Sequence, residues 1–281
     1  MTVVALAASD ESPSPLRSVG ECAAFARERL SRVDADALTV AALGISRAHL
    51  HAFPERPVRV ATSRCLCRWV ERRAQGEPVA YIVGQREFWG LEVAVDARVL
   101  IPRPDTETLV EAALERIGDG ACVLDLGTGS GCIALAIKSE RPNARVLATD
   151  IDRDCIQVAK RNAKALRLLV HTRVADTFCG LPGKFDAVVA NPPYIEPGDP
   201  HLTRGDLRFE PRHALVGGLA TIARIVRAAP AHLNQGGWLV LEHGFDQGNA
   251  VAALFENAGF QDVACVRDLA GHDRVTCGRA P

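Results

Sequence analysis

The sequence predicts an α/β protein, a doubly wound and mostly parallel sheet, preceded by a small all-helical domain and a linking β-hairpin. Beyond Gly120, short apolar strands alternate with helical crossovers, the pattern of a parallel sheet covered on both faces. Before Gly84, apolar residues recur at helical spacing. Between the two, a stretch alternates at period two around a turn. At 281 residues the chain has room for a catalytic-sized domain and a small one. Its 48% hydrophobic and 24% charged residues are those of a chain that buries a core.

Residues 1–15 hold Ser, Thr and Pro without apolar periodicity and read as a flexible tail. Residues 16–84 read as helices. Cys22, Phe25, Ala26, Arg29, Leu30 and Val33 recur at 3–4 spacing and predict one helix over 20–33; Cys65, Leu66, Trp69 and Val70 predict another over 62–74. Gly44, Pro54 and Pro57 break the run. Residues 85–100, with Phe88-Trp89-Gly90-Leu91 at their turn, form the linking hairpin. From 101 to 281 a single domain is expected. Pro102, Pro104 and Asp105 announce a helix carrying Leu109, Val110, Ala113, Leu114 and Ile117. Strands follow at Cys122–Leu126, Arg145–Asp150, 170–174, Phe185–Ala190 and 238–242, with helices at Cys132–Glu140, Arg153–Leu166 and 220–233. A helix over 247–258 and two closing strands, 262–267 and 274–278, complete the chain.

Charge and cysteine content narrow the function. Lys plus Arg total 33 against 34 Asp plus Glu, a net charge of −1, without the basic excess of a nucleic-acid surface. The nine cysteines form no C-x-x-C pair, and those within apolar sequence read as reduced core residues of a cytoplasmic protein. No metal site or disulfide framework is expected. The first basic residue is Arg17, after Asp10 and Glu11, opposite to a targeting peptide. No uncharged apolar stretch approaches the eighteen or so residues of a membrane span.

Asp125-Leu-Gly127-Thr128-Gly129-Ser130-Gly131 follows a predicted strand and opens a predicted helix, the context in which a glycine-rich turn suggests a ligand site and not merely a tight turn. Cys132 breaks the dinucleotide spacing G-x-G-x-x-G. Asp150 ends the next strand, where a carboxylate accepts from both ribose hydroxyls. Asp125 disfavours a pyrophosphate and favours an ammonium or sulfonium. A ribose with positive centres and no phosphate describes S-adenosylmethionine. Asp176, after the third strand, is placed either to accept from the adenine amine or to cap a turn.

Asn191-Pro192-Pro193-Tyr194 leaves the strand Phe185–Ala190 at the carboxyl edge of the sheet. Two prolines remove two backbone donors and fix φ. The Asn191 side-chain oxygen and the Pro192 carbonyl can take both N–H bonds of one planar NH₂ group while the Tyr194 ring stacks on its face. Accepting both hydrogens localises the nitrogen lone pair toward a methyl donor. That is the chemistry of in-line methyl transfer to an amide or aromatic amine, driven by positioning and by acceptors aimed at developing charge.

With these residues the sequence resembles the release factor glutamine N5-methyltransferases, which act on the Gly-Gly-Gln loop of bacterial class-1 peptide chain release factors. The resemblance runs from about Leu16 to Arg279. It rests on Pro78-Val-Ala-Tyr-Ile-Val-Gly84, Glu87-Phe-Trp89, Leu100-Ile-Pro-Arg-Pro-Asp-Thr-Glu107, Asp125–Gly131, Asn191–Tyr194, Phe209-Glu-Pro211 and Asp273-Arg-Val-Thr276. It implies a class I methyltransferase, Rossmann-like fold, with S-adenosylmethionine on Gly127, Thr128, Gly129, Ser130, Gly131, Asp150, Asp176, Thr177 and Asn191. It implies the substrate on Asn191, Pro192, Pro193 and Tyr194, with Asn191, Pro192 and Tyr194 carrying catalysis. Members often place an aromatic residue where this chain has Thr177, with Phe178 beside it. The helical domain would then dock the release factor, and a monomer with no direct nucleic-acid or membrane partner is expected.

Other readings compete. Asn-Pro-Pro-Tyr is shared with adenine-N6 nucleic-acid methyltransferases, which flip a base into such a loop; near-neutral charge and the lack of a target-recognition domain argue against this. A non-catalytic cofactor-binding protein is disfavoured by the intact loops. Arg64, Arg68 and Arg72 stripe one helix face, solvated or docking an acidic partner. Glu242-His243 ends a strand on the cleft side, where the histidine reads as structural.

Overall fold

The computed structural model describes residues 16–281, so the predicted tail lies outside the described residues. The chain divides after Val83 into two compact units.

The first unit holds α1 (Val19–Arg27), α2 (Arg32–Leu43), α3 (Arg47–Ala52), α4 (Val60–Ala74) and α5 (Val79–Val83). Ser18, Ser31 and Ser46 cap α1, α2 and α3, each accepting a backbone N–H three residues on. The helix expected over 20–33 is therefore two. Ser31 Oγ takes the Asp34 N–H at 3.2 Å and starts a new axis, and Val33, predicted to face the core, is 70% exposed. Cys22, Ala26, Leu38, Leu66, Val70 and Ile82 form this unit's core.

The second unit opens with the hairpin β1 (Gln85–Phe88) and β2 (Leu91–Ala94). Its turn puts Trp89 and Gly90 at positive φ, 54° and 70°, the mirror-image geometry that suits strand twist. The hairpin falls within the second compact unit, which begins at Gly84. Phe88 and Val93 lie in its core. Asn162 clamps the Ala94 N–H at 3.0 Å and its carbonyl at 2.9 Å.

A 3₁₀ turn, Pro104–Thr106, leads into α6 (Glu107–Leu114). Then come β3 (Cys122–Leu126), α7 (Cys132–Glu140), β4 (Arg145–Asp150), α8 (Arg153–Leu166), β5 (His171–Val174) and β6 (Phe185–Ala190). They are followed by α9 (Arg212–Leu215), α10 (Gly218–Ala228), β7 (Leu233–Glu242), α11 (Gly248–Asn257), β8 (Gln261–Arg267) and β9 (Asp273–Arg279). β7 is twice as long as predicted. Its first half, Asn234-Gln-Gly-Gly, contains breakers that read as loop, yet a register shift opposite β6 and a positive φ of 72° at Gly236 accommodate them.

The sheet runs β5-β4-β3-β6-β7-β9-β8, parallel through β7, with β9 antiparallel to both of its neighbours, β7 and β8. Buried apolar residues cover both faces. Chain order reverses between β3 and β6, which pair with Leu126 beside Ala190. The carboxyl ends of these two strands flank the switch point at which open α/β sheets bind ligands. No helix among the described residues is long and apolar enough to cross a membrane.

Candidate active site

The glycine loop springs from β3. Asp125 is fully buried, and its Oδ2 accepts from Thr128 Oγ1 at 2.6 Å and from the Ala134 N–H at 3.2 Å. It organises the loop from beneath and lines neither of the two cavities that border the loop; Oδ1 has no hydrogen-bond partner among the described residues. Burial lifts this carboxyl to about 7, above what the two hydrogen bonds would give. Gly127 and Gly129 sit at positive φ, 69° and 53°, with nothing of the protein within 4 Å of where a Cβ would be. The space above these two glycines is open, whereas Gly131 packs closely: a Cβ there would lie 3.1 Å from that of Ala159 on α8.

A cavity of about 340 Å³ opens over this loop. Asp150 lines it, 8% exposed, with Oδ2 accepting from the Gly129 N–H at 3.0 Å and Oδ1 from the Asp152 N–H at 2.9 Å. Burial pushes its pKa up while these two N–H groups hold it down. Each oxygen keeps lone-pair capacity for a hydroxyl. Asp176 and Thr177 line the same cavity, Thr177 in the left-handed region at φ 48°. Asp176 pairs with Arg224 of α10 at 3.2 Å, a partner the sequence did not announce. Phe178 turns inward, 5% exposed, and stacks on His232 with ring centroids 4.5 Å apart. It does not replace an aromatic at 177. Thr128 and Ser130 line a second, smaller cavity above the loop.

The loop Asn191–Tyr194 leaves β6 beside this space. Asn191 borders the main cavity and two smaller ones, and Pro192 borders two of the three. Asn191 Nδ2 donates to Thr106 Oγ1 at 3.2 Å, leaving Oδ1 as the acceptor end. Tyr194 Oη donates to Glu242 Oε1 at 3.4 Å, and the Tyr194 carbonyl accepts from Gln247 Nε2 at 3.0 Å. Gly217 must be glycine because a Cβ would collide with the Pro193 carbonyl oxygen. Burial beside Glu242 pushes the Tyr194 phenol up, so it stays neutral.

Two sequence motifs resolve into scaffold. Glu210 of Phe209-Glu-Pro211 is buried, takes the Ile101 N–H at 3.1 Å and pairs with Arg103, tying two distant loops together beside Asn191. Arg274 of Asp273-Arg-Val-Thr276 pairs with Asp268 at 3.1 Å and Asp105 at 3.4 Å. His243 is structural as read: Nδ1 contacts the Gly244 carbonyl and Nε2 the Thr276 hydroxyl, both at 2.9 Å. In the helical unit Arg64 and Arg68 are exposed, while Arg72 is held by Glu77 at 2.5 Å. Gly217 and Arg224 carried no sequence signal, and Thr106 and Glu242 stood out only within a motif and at a strand end; the roles of all four come from contacts across 24 to 136 positions of chain.

The fold and the paired loops define a class I methyltransferase. Residues 104–204 match the methyltransferase small domain model, and residues 22–84 match the PrmC N-terminal domain model. The release factor glutamine methyltransferase of Xylella fastidiosa is 50% identical over 276 residues, covering 96% of this chain and 99% of that one. Those of Pseudomonas aeruginosa and Escherichia coli are 48% and 45% identical, covering 89% and 88% of this chain and 92% of each relative. The chain belongs to the release factor glutamine methyltransferase family. Among solved structures, a methyltransferase from Pyrococcus furiosus (TM-score 0.52, 21% identity, 68% of this chain and 89% of that one) shares the fold. So does a Thermus thermophilus 16S rRNA methyltransferase (TM-score 0.52, 21% identity, 70% and 50%).

Proposed function

We propose that this methyltransferase modifies the side-chain nitrogen, N5, of the glutamine in the Gly-Gly-Gln loop of class-1 peptide chain release factors. The observation that carries this reading is the orientation of Asn191, whose amide nitrogen is committed to Thr106 and whose oxygen is the end left for an N–H donor where three cavities meet. S-adenosylmethionine supplies the methyl group.

The residues present fit that cofactor. The open space over Gly127 and Gly129 admits a ligand against the backbone, Asp150 offers lone pairs for ribose hydroxyls, and Asp176 and Thr177 line the same cavity. Asn191 Oδ1 and the Pro192 carbonyl accept the two N–H bonds of the glutamine amide, withdrawing its lone pair from conjugation and aiming it across the cavity. The neutral Tyr194 ring bounds the acceptor's flat face. No side chain need take a proton before transfer, because the nitrogen becomes acidic only after the new N–C bond forms, and its proton then passes to water. The helical unit, which carries no cofactor-type motif, docks the release factor.

Co-expression with a release factor tests the reading. The Gly-Gly-Gln peptide should gain one methyl, located on the glutamine by fragmentation; an unmodified peptide, with methyl incorporation into DNA instead, would favour the adenine-N6 alternative.

A further inference from the structure

The Asn191–Tyr194 loop is anchored at two side chains, and both anchors lead to one carboxylate. We propose that Glu242 is a positioning residue for the methyl acceptor: acting through Thr106, it sets which end of the Asn191 amide faces the acceptor nitrogen, and it fixes Tyr194 beside it. This rests on the proposed role of Asn191 as the acceptor for the substrate amide.

Glu242 ends β7 with 1% of its surface exposed, and its Oε2 has no hydrogen-bond partner among the described residues. An acid in that place costs more than an apolar residue unless it does something. Its Oε1 accepts the Tyr194 hydroxyl at 3.4 Å. The hydroxyl of Thr106, itself 2% exposed, faces the same carboxyl and favours its ionised form. Thr106 Oγ1 meanwhile accepts from Asn191 Nδ2 at 3.2 Å.

A hydroxyl has one proton to give. An ionised carboxylate only accepts, so it draws the Thr106 proton toward itself and leaves a lone pair of Oγ1 for the Asn191 NH₂. The chain of donors then has one direction, from Asn191 through Thr106 to Glu242, and the amide oxygen is held toward the acceptor. A protonated Glu242 can donate to Thr106 instead, freeing the threonine proton for Asn191 Oδ1 and favouring the reversed amide, which presents N–H groups to N–H groups. The groups around Glu242 oppose one another. Arg274 on β9, Thr106 and the Tyr194 hydroxyl favour the charged form, while burial and Asp105 disfavour it, leaving the carboxyl at about 7. From α7 the Cys132 thiol, pushed up to about 12, contributes no charge.

The test compares Glu242→Gln, Thr106→Val, Thr106→Ser and the double variant Glu242→Gln with Thr106→Val in the full chain. Losing a charge-assisted orienting contact should lower kcat about 10–100-fold in Glu242→Gln and in Thr106→Val. The release factor KM and the cofactor Kd should stay within about twofold. Thr106→Ser, which keeps the hydroxyl, should work nearly as well as wild type, and the double variant should be no slower than either single one. Wild-type kcat should rise with pH through about 7, a limb missing in Glu242→Gln. In the cofactor-free protein, the Asn191 side-chain amide resonances should follow that titration in wild type and stand still in Glu242→Gln. A Glu242→Gln enzyme with wild-type kcat and the same acid limb, or additive losses in the double variant, would overturn the proposal. The resonances separate the two readings. Were wild type to methylate no glutamine, the proposed function would fall, while Asn191 signals that ignore Glu242→Gln would sink the relay itself.

Discussion

The two loops at the switch point sit at the ends of neighbouring strands, and each is organised around a fully buried carboxyl lifted to about 7. They use it differently. Asp125 binds groups of its own loop, Thr128 and Ala134, and the surface presented to the ligand is mostly backbone. Glu242 instead meets side chains that come from elsewhere in the chain, Thr106 and Tyr194. A cofactor loop can be made locally because its ligand is invariant and needs a smooth surface with few fixed acceptors. A substrate loop must present one acceptor in one orientation, and rigidity of that kind is supplied by neighbouring elements.

Variants can break this contrast. A large effect should come from Gly217→Ala, whose Cβ displaces the Pro193 carbonyl. Turnover should fall about 100-fold, the scale for misplacing a reacting group by about 1 Å, with cofactor affinity nearly unchanged in calorimetry. Lost cofactor binding would show that the two loops are not independently built. Asp150→Ala should do the reverse, weakening cofactor binding by about 1.5–3 kcal/mol while leaving release factor affinity in place; equal calorimetric affinity would remove Asp150 from the site.

The buried acids also sharpen the comparison through pH. The Asp125 carboxyl titrates near 3.9 in an unfolded chain and about 7 when folded. Between those values the folded state holds the proton and the unfolded state does not. Its stabilising contribution is therefore complete below about pH 4 and is lost as pH rises through about 7. Thermal melts of Asp125→Asn should be flatter over that range than those of wild type; parallel curves would mean the carboxyl is ionised throughout. The smallest effect is expected far from both loops. Reversing charge at the exposed Arg64 and Arg68 should raise the release factor KM about threefold and leave kcat alone, and an unaltered KM would make that face merely solvated.

The same contrast explains what the sequence revealed. Asp125 to Gly131, Asp150 and Asn191 to Tyr194 are contiguous or lie at fixed strand ends, so turn chemistry and spacing exposed them. Thr106 looked like one residue of a helix start, and Glu242 like the end of a strand. Their meeting depends on β7 lying beside β6 and on the turn before α6 approaching Asn191, neither of which periodicity encodes. The hairpin was assigned as a linker because alternation reveals strands without revealing what they pack on; Asn162 decides that. The apolar spacing that suggested one helix over 20–33 continued through Ser31, whose cap outweighs it.

The central claim is that Asn191 presents an acceptor to the glutamine amide, and single-turnover methyl transfer to release factor by Asn191→Ala measures it most directly. With cofactor and release factor both saturating, the rate should fall about 10²–10³-fold, the loss seen when one preorganised hydrogen-bonding group is removed, while release factor affinity changes little. A single-turnover rate close to wild type would contradict the account and leave the Asn-Pro-Pro-Tyr loop a structural element only.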